Sequence, residues 1–244
     1  MMVSHGSNRY KLIEDAVQKP DELYNFDFHL MLTKATERNA IIVTDPPYNI
    51  NFGYNSYKDN YAEHDYIKML AEFQGFRAVI IQYPEETIRY LGPALGTPKE
   101  CWAWCYNSNI NRRFRLVNFY GIEPDNSKVK QPYKNPTDRR IKALIDAGSE
   151  GTAIYDWFSD IQLVKNVSKE KTIHPCPIPE SLIERIIRCV AQPGDVIWDP
   201  FMGCGTVPAV AKRLGYDFIG TEIDPIYFEV AKQRVATTIR GGSL

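Results

Sequence analysis

Two short stretches carry residues able to do chemistry. The first is IIVTDPPYNINF at residues 41–52. An apolar, strand-like run stops on the carboxylate of Asp45, two prolines stiffen the next positions, and the ring of Tyr48 follows. The second is DVIWDPFMGCGTVPAVAKRLGYDFIGTEID at residues 195–224. It reads as strand, glycine turn, helix, and a further strand ending near an acid. Gly203 and Gly205 let backbone approach a ligand closely at a helix N-terminus. Glu222 stands where a carboxylate can accept hydrogen bonds from two ribose hydroxyls. The spacing suits a dinucleotide site except at one point: Pro208 occupies the place of the third glycine in G-x-G-x-x-G. A nucleoside without a pyrophosphate fits this turn better. Taken alone, the stretch is also compatible with a purely structural glycine turn in a doubly wound fold.

Such residues need rigid elements to hold them. Strand-like and helix-like segments alternate along the 244 residues. Buried strands are expected at 40–45, 77–83, 101–106, 115–121, 195–199 and 217–224. Helices are expected at 63–73, at 85–95 with a stop at Gly92-Pro93, and at 137–146 with Asn135 or Thr137 as cap. Further helices are expected at 179–191, 206–215 and 225–239. The one at 179–191 opens on Pro179 and Glu180 and carries an apolar stripe of Leu182, Ile183, Ile186, Ile187 and Val190. Alternation with continuously apolar strands argues for a doubly wound α/β fold, its mostly parallel sheet covered on both faces. The polar, proline-broken middle, about 107–172, is the natural place for an insert.

Composition narrows the classes further. The net charge is −1, so global charge names no partner. The five cysteines are odd in number and several lie in apolar runs, which suits reduced thiols. Cys101 and Cys105 lack companions to complete a four-ligand set, so no metal is expected. Residues 1–20 contain no apolar core of a signal peptide, and the polar start MMVSHGSN is expected to fray. No apolar run approaches the roughly 20 residues that cross a bilayer. Local charge is informative: from 107 to 143 there are nine basic residues against three acidic ones, interleaved with aromatics. A basic, polar insert of this kind is expected to contact nucleic acid, mostly through phosphate.

DPPY preceding F-x-G-x-G, each at a strand end, resembles the beta class of DNA amino-methyltransferases. The resemblance implies a Rossmann-like, circularly permuted, seven-stranded methyltransferase sheet in a single domain. Its catalytic half would span about 20–106, a target-recognition insert about 107–172, and a cofactor-binding half about 173–244. The implied cofactor is S-adenosylmethionine. HPCPIPESLIERII at 174–187 resembles the histidine-proline segment and helix that precede F-x-G-x-G in this class, although Ile178 stands where a lysine is common. NFDFHLM at 25–31 lies where the family places an aspartate beside the adenine of the cofactor, with Phe26 in place of the usual glycine. The implied cofactor residues are Asp27, Phe28, Asp45, His174, Asp199, Phe201, Gly203, Gly205, Thr206, Glu222 and Ile223. The implied catalytic residues are Asp45, Pro46, Pro47 and Tyr48. The expected nucleic-acid contacts are Asn49, Tyr54, Tyr57, Arg112, Arg113, Arg115, Lys128, Lys130, Lys134, Arg139 and Arg140.

The chemistry implied is specific. An exocyclic amine on adenine is a poor nucleophile, because its lone pair is delocalised into the ring. Two acceptors aimed at its two N–H groups, the Asp45 carboxylate and the Pro46 carbonyl, would turn that lone pair toward a methyl donor. Tyr48 would stack on the base, which is worth about 1–3 kcal/mol in single-strand binders. The base must be flipped out of duplex DNA, or the DNA must be single stranded. The Asn- and Tyr-rich segment 49–61 reads either as a mobile loop that orders over the base or as an ordinary surface loop. Aspartate at the head of DPPY leans toward adenine N6 in this family, with cytosine N4 as the alternative. An idle DNA-binding relative is disfavoured by the intact motifs, and a nicotinamide oxidoreductase by Pro208. A cytoplasmic, nucleoid-associated protein of prokaryotic or phage origin is implied, with no membrane partner. A cognate restriction enzyme and a homodimer are left open.

Overall fold

A strand that is apolar along its whole length needs cover on both faces. Here one large sheet lies between two helical layers. The computed structural model describes residues 21–54, 57–108, 111–164, 173 and 177–241. In chain order its elements begin with β1 (Asp21–Tyr24), α1 (Leu32–Glu37), β2 (Ile41–Thr44), α2 (Glu63–Ala71), β3 (Arg77–Gln82) and α3 (residues 84–95). Next come β4 (Glu100–Cys105), β5 (Phe114–Tyr120), β6 (Lys130–Gln131), α4 (Arg139–Asp146), β7 (Thr152–Ala153) and β8 (Trp157–Phe158). The chain continues through α5 (Glu180–Val190), β9 (Val196–Asp199), α6 (Thr206–Arg213), β10 (Asp217–Thr221) and α7 (Pro225–Thr237).

The main sheet has the order β1-β10-β9-β2-β3-β5-β4-β8. It has eight strands, the seven that the family resemblance implies and two-residue β8 at the edge. From β1 to β3 all neighbours are parallel. β5 alone is reversed, antiparallel to both β3 and β4. A short connection from β4 can make only a hairpin, which explains the reversal. Side-chain alternation divides the core in two. Ile41, Val43, Val79 and Ile81 pack on one side with α5 residues Leu182, Ile183 and Ile186. Ile42, Ala78 and Ile80 pack on the other with α2 residues Tyr66 and Leu70 and with Trp198. No helix among the described residues is long and apolar enough to cross a membrane.

Several expectations are corrected. β1 and α1 were not expected, because four and six residues are too few to display a period. α3 does not stop at Gly92-Pro93. A wide turn over Thr87–Leu91 lets the Gly92 N–H reach the Thr87 carbonyl, and Pro93 then begins a fresh turn where no N–H is missed. Neither Asn135 nor Thr137 caps α4. The Asp138 carboxylate accepts from the backbone of Arg140 (2.9 Å) and Ile141 (3.2 Å). Within 107–172, β5 and β8 belong to the main sheet. Among the described residues, 121–156 form an excursion between them, held where the backbone N–H of Asp125 reaches the Cys189 carbonyl (2.8 Å) at the end of α5.

The parallel strands deliver their C-terminal ends to one edge, where open α/β sheets bind ligands. β2 and β9 are paired only through Ile41 with Ile197 and Ile42 with Trp198. Beyond that they part, and Thr44 Oγ1 donates to Asp199 Oδ1 across the gap (2.7 Å). Asp199 is buried, and burial pushes its carboxyl up to about 7. Hydrogen bonds from Thr44 and the Phe201 N–H hold it down, and the nearby charges of Asp45 and Glu222 push it up. Between the ordinary carboxylate range and pH about 7, the folded state therefore binds more protons than the unfolded chain. Stability contributed here falls as pH rises through that window. Asp199→Asn keeps both accepted hydrogen bonds and removes the titration. In thermal melts the variant is expected to match the parent near pH 5 and to melt higher near pH 8. The gain is on the order of a few kcal/mol at most, at roughly 2–4 °C per kcal/mol. An equal offset at both pH values contradicts this account.

Candidate active site

The carboxylate that ends the buried β2 run lies at this ligand edge. Asp45 follows β2 directly and sits on the wall common to three cavities. The largest, about 350 Å³, is lined by Asp27, Phe28, Pro47, Phe201, Gly203, Glu222 and Ile223 among others. A second, about 60 Å³, lies between Pro46, Tyr48, Phe52, Tyr83 and Arg115. A third, about 50 Å³, reaches Asp199, Cys204 and Thr206. The two stretches singled out in the sequence therefore converge on one carboxylate, although 142 residues separate them along the chain.

The Asp45 side chain is held from two sides. Tyr48 donates its hydroxyl to Oδ1, and Arg115 Nη1 lies 3.5 Å from Oδ2. Burial pushes the Asp45 carboxyl above its usual range, and Arg115 and then Tyr48 pull it back. Tyr48 meets Tyr83 edge to face, with ring centroids 5.1 Å apart. The diproline is anchored as well: buried Tyr66 donates its hydroxyl to the Pro47 carbonyl, and Gln82 Nε2 donates to that hydroxyl (3.0 Å). Pro46 lines the smaller aromatic pocket.

The large cavity is built from strand ends. Gly203, at φ 51°, donates its backbone N–H to Glu222 Oε2 (2.9 Å), while the N–H of Asp224 reaches Oε1 (2.8 Å). Glu222 thus ties the glycine turn to the end of β10 and keeps lone pairs facing the cavity. Burial raises its carboxyl as well. Phe28 and Phe201 pack with centroids 5.1 Å apart and form an apolar wall. Asp27 caps the short turn after it, accepting from the backbone N–H of His29 (3.0 Å), and stands exposed at the rim. Asn25 Nδ2 donates to the Glu222 carbonyl (2.8 Å) and joins the ends of β1 and β10.

Other expected residues are placed elsewhere. Gly205 lines none of these cavities. An added Cβ there would sit 2.9 Å from Ala231 Cβ at φ 77°, so this glycine serves the packing of α7. Thr206 reaches the third cavity but accepts from Arg234 Nη1 (2.9 Å). His174 lies outside the described residues. The start of the segment 49–61 is gathered by one acid. The buried carboxylate of Asp59 accepts from the backbone of Asn49 (2.6 Å), Ile50 (3.1 Å) and Phe52 (3.0 Å). Asn49 donates its Nδ2 to the Tyr61 carbonyl (3.1 Å) and accepts from the Tyr61 N–H at its Oδ1 (2.6 Å). Tyr54 and Tyr57 face the large cavity, not an outer surface.

The basic residues divide. Arg115 is buried against Asp45. Lys128 donates to the Ala191 carbonyl (3.1 Å) and closes the end of α5. Lys130 follows it in β6, also on the far side, because antiparallel β5 carries the chain away from the ligand edge. Lys134 lies over the rings of Tyr155 (4.6 Å) and Trp157 (5.2 Å). Arg139 and Arg140 open α4, which has no buried residue. Arg112 and Arg113 lie in the loop after β4, which runs parallel to β3 and so leaves the sheet at the ligand edge. Arg112 stands over Tyr83 (4.5 Å) and near Glu86 (3.2 Å). Tyr83, Asp59, Tyr61 and Tyr66 were missed. For Tyr83 a signal existed: like Asp45, it immediately follows a parallel strand.

Comparisons with known proteins place the family and the fold. The family model for N6/N4 methyltransferases, described as DNA methylase, matches residues 70–233. The chain is 28% identical over 251 aligned positions to the type II methyltransferase M.BglII of Bacillus subtilis, covering 88% of this chain and 69% of that protein. It is 27% identical over 236 positions to the type II methyltransferase M.HpaI of Haemophilus parainfluenzae, covering 85% and 72%. The solved complex of M1.HpyAVI with SAM superposes with a TM-score of 0.53 at 25% identity, over 87% of this chain and 98% of that one. The cytosine-N4-specific PvuII DNA methyltransferase shares the fold with a TM-score of 0.62 at 17% identity, over 87% and 85%. A family match across well over half of its residues, on a sheet whose ligand edge joins DPPY to the glycine turn, makes this chain a member of the N6/N4 DNA methylase family.

Proposed function

We propose that the chain transfers a methyl group from S-adenosylmethionine to the exocyclic N6 of adenine in DNA. The observation that carries this reading is the position of Asp45 on the wall shared by the large cavity and the aromatic pocket. The residues of the large cavity suit the cofactor. Glu222 offers a carboxylate to ribose hydroxyls, Asp27 an acceptor for an adenine amino group, and Phe28 and Phe201 an apolar face. Gly203 presents bare backbone to the cavity. When bound, the cofactor supplies a methyl carbon on a sulfonium, already activated for in-line displacement.

The residues of the chain supply alignment and electrostatics. Tyr48 and Tyr83 form an aromatic wall for a flipped base. Asp45 and the Pro46 carbonyl accept the two N–H groups, so the amine lone pair is directed out of the ring plane. The Asp45 charge offsets the positive charge that grows on nitrogen. Aspartate rather than serine at the head of DPPY favours adenine over cytosine. Arg112 stands over Tyr83 beside the aromatic pocket, Arg113 follows it in the same loop, and both are assigned to DNA phosphate.

With labelled methyl donor and DNA digested to nucleosides, the label is expected in N6-methyladenine. Label in N4-methylcytosine overturns the adenine assignment. Asp45→Ala is expected to lower transfer by at least about a hundredfold, while calorimetry finds cofactor affinity within about threefold. Loss of both together means that the carboxylate is structural.

The division of basic residues is tested by salt titration of DNA binding. Arg113→Gln is expected to weaken binding and reduce the slope of log affinity against log salt by about 1. Lys130→Gln is expected to leave the slope unchanged. The opposite result places DNA under the sheet, against the 121–156 segment.

A further inference from the structure

Arg115 is the one basic residue of the 107–143 stretch that the fold takes inside, at 8% exposure. It is the second residue of β5, where Phe114 points out and Arg115 points in. Its guanidinium is enclosed by four rings, with centroid distances of 5.2 Å to Tyr83, 5.5 Å to Tyr48, 5.6 Å to Trp104 and 5.9 Å to Tyr106. Its Nε has no hydrogen-bond partner among the described residues. Nη1 lies 3.5 Å from Asp45 Oδ2. A cation is not buried without compensation, and here the compensation is the carboxylate that the reaction uses.

We propose that Arg115 is a positioning residue: it keeps Asp45 ionised and aimed at the amine, and it braces the Tyr48 ring beside the same pocket. The inference rests on the amine-methylation reading of the site. Asp45 must be anionic to accept an N–H and to balance charge developing on nitrogen. A neutral carboxyl would present an O–H where an acceptor is required.

The surroundings otherwise work against ionisation. Asp199 and Glu222, from the ends of β9 and β10, bring like charge to this edge. Asp59, from the following loop, shares the wall of the aromatic pocket. Tyr48 from its own loop helps through its hydroxyl. Tyr83, after β3, contributes a ring edge. From the far wall of the large cavity, α2 contributes Lys68 together with the acids Asp65 and Glu72, while Asp27, before α1, and Asp224, at the start of α7, add further acids. Arg115 on β5 is the cation within ion-pair distance of Asp45 among the described residues.

The test is the pH profile of single-turnover methyl transfer in Arg115→Met and Arg115→Lys. Removing the cation raises the pH at which Asp45 ionises, so the acid limb of the rate should move to higher pH. The expected shift in Arg115→Met is about one pH unit or more, a tenfold loss on the acid side that largely recovers at alkaline pH. Arg115→Lys should shift less. Superimposable profiles, or an equal loss at every pH, overturn the proposal and reduce Arg115 to core packing. Cofactor calorimetry should be unchanged in both variants. If Asp45→Ala itself retains transfer, the functional reading falls; if only the Arg115 profiles fail, this inference alone falls. Should the methionine variant not fold, infrared spectra of the parent protein with isotope-labelled aspartate decide the matter, with Asp45→Asn subtracted. An ionised Asp45 at neutral pH supports the proposal, and a protonated one overturns it.

Discussion

The hydrogen bond from Thr44 to Asp199 spans the place where β2 and β9 separate. Parallel strands that stay paired to their ends leave no room for a ligand. Strands that diverge open a crevice but leave polar backbone and side chains without partners. Two side chains, one from each strand, bridge this opening and keep its width. Everything that faces the crevice inherits its position from that bridge. Asp45 follows Thr44 by one residue, and the Phe201 N–H donates to the same Asp199 oxygen that receives Thr44 (3.1 Å). The half of the sheet that carries DPPY and the half that carries the glycine turn are joined at this point.

The crevice concentrates negative charge. Asp45, Asp199 and Glu222 arrive on three different strand ends, and burial raises the carboxyl of each. Such crowding opposes folding and suits a cationic ligand, which would relieve it. The backbone N–H groups of Gly203 and Asp224 satisfy Glu222, Thr44 satisfies Asp199, and Arg115 with Tyr48 satisfies Asp45. Each acid thus has its own compensation, drawn from a different element. That arrangement leaves the cavity polar where a sugar would lie and aromatic where rings would lie.

Close packing explains features that binding does not. Pro208, which argued against a pyrophosphate turn, lies over Gly220 of β10. A Cβ at Gly220 would meet Met202 Sδ at 2.5 Å, Leu23 Cδ2 at 2.9 Å and Pro208 Cγ at 3.0 Å. Pro208 is the third residue of α6, within the first turn, where its missing N–H costs no helical hydrogen bond. The two glycines of the turn therefore have separate tasks: Gly203 opens backbone to the cavity, and Gly205 makes room for Ala231.

Alternation of apolar runs was enough to read a doubly wound sheet, and strand-ending acids with the paired motifs drew attention to Asp45, Tyr48, Gly203 and Glu222, which line cavities at one edge of that sheet. The same local rules did not tell which way Arg115, Lys128, Asn49, Tyr54 and Tyr57 would face. A run of basic residues looks uniform along the chain, yet strand alternation turns Arg115 inward, and the reversal of β5 carries Lys128 to the opposite edge. An Asn- and Tyr-rich loop looks solvent-facing until a carboxylate ten residues on gathers its N–H groups. Residue types and spacing thus determined which chemistry is available. Only the tertiary structure decided which charges face one another, since burial and partnership depend on contacts between segments far apart in the chain.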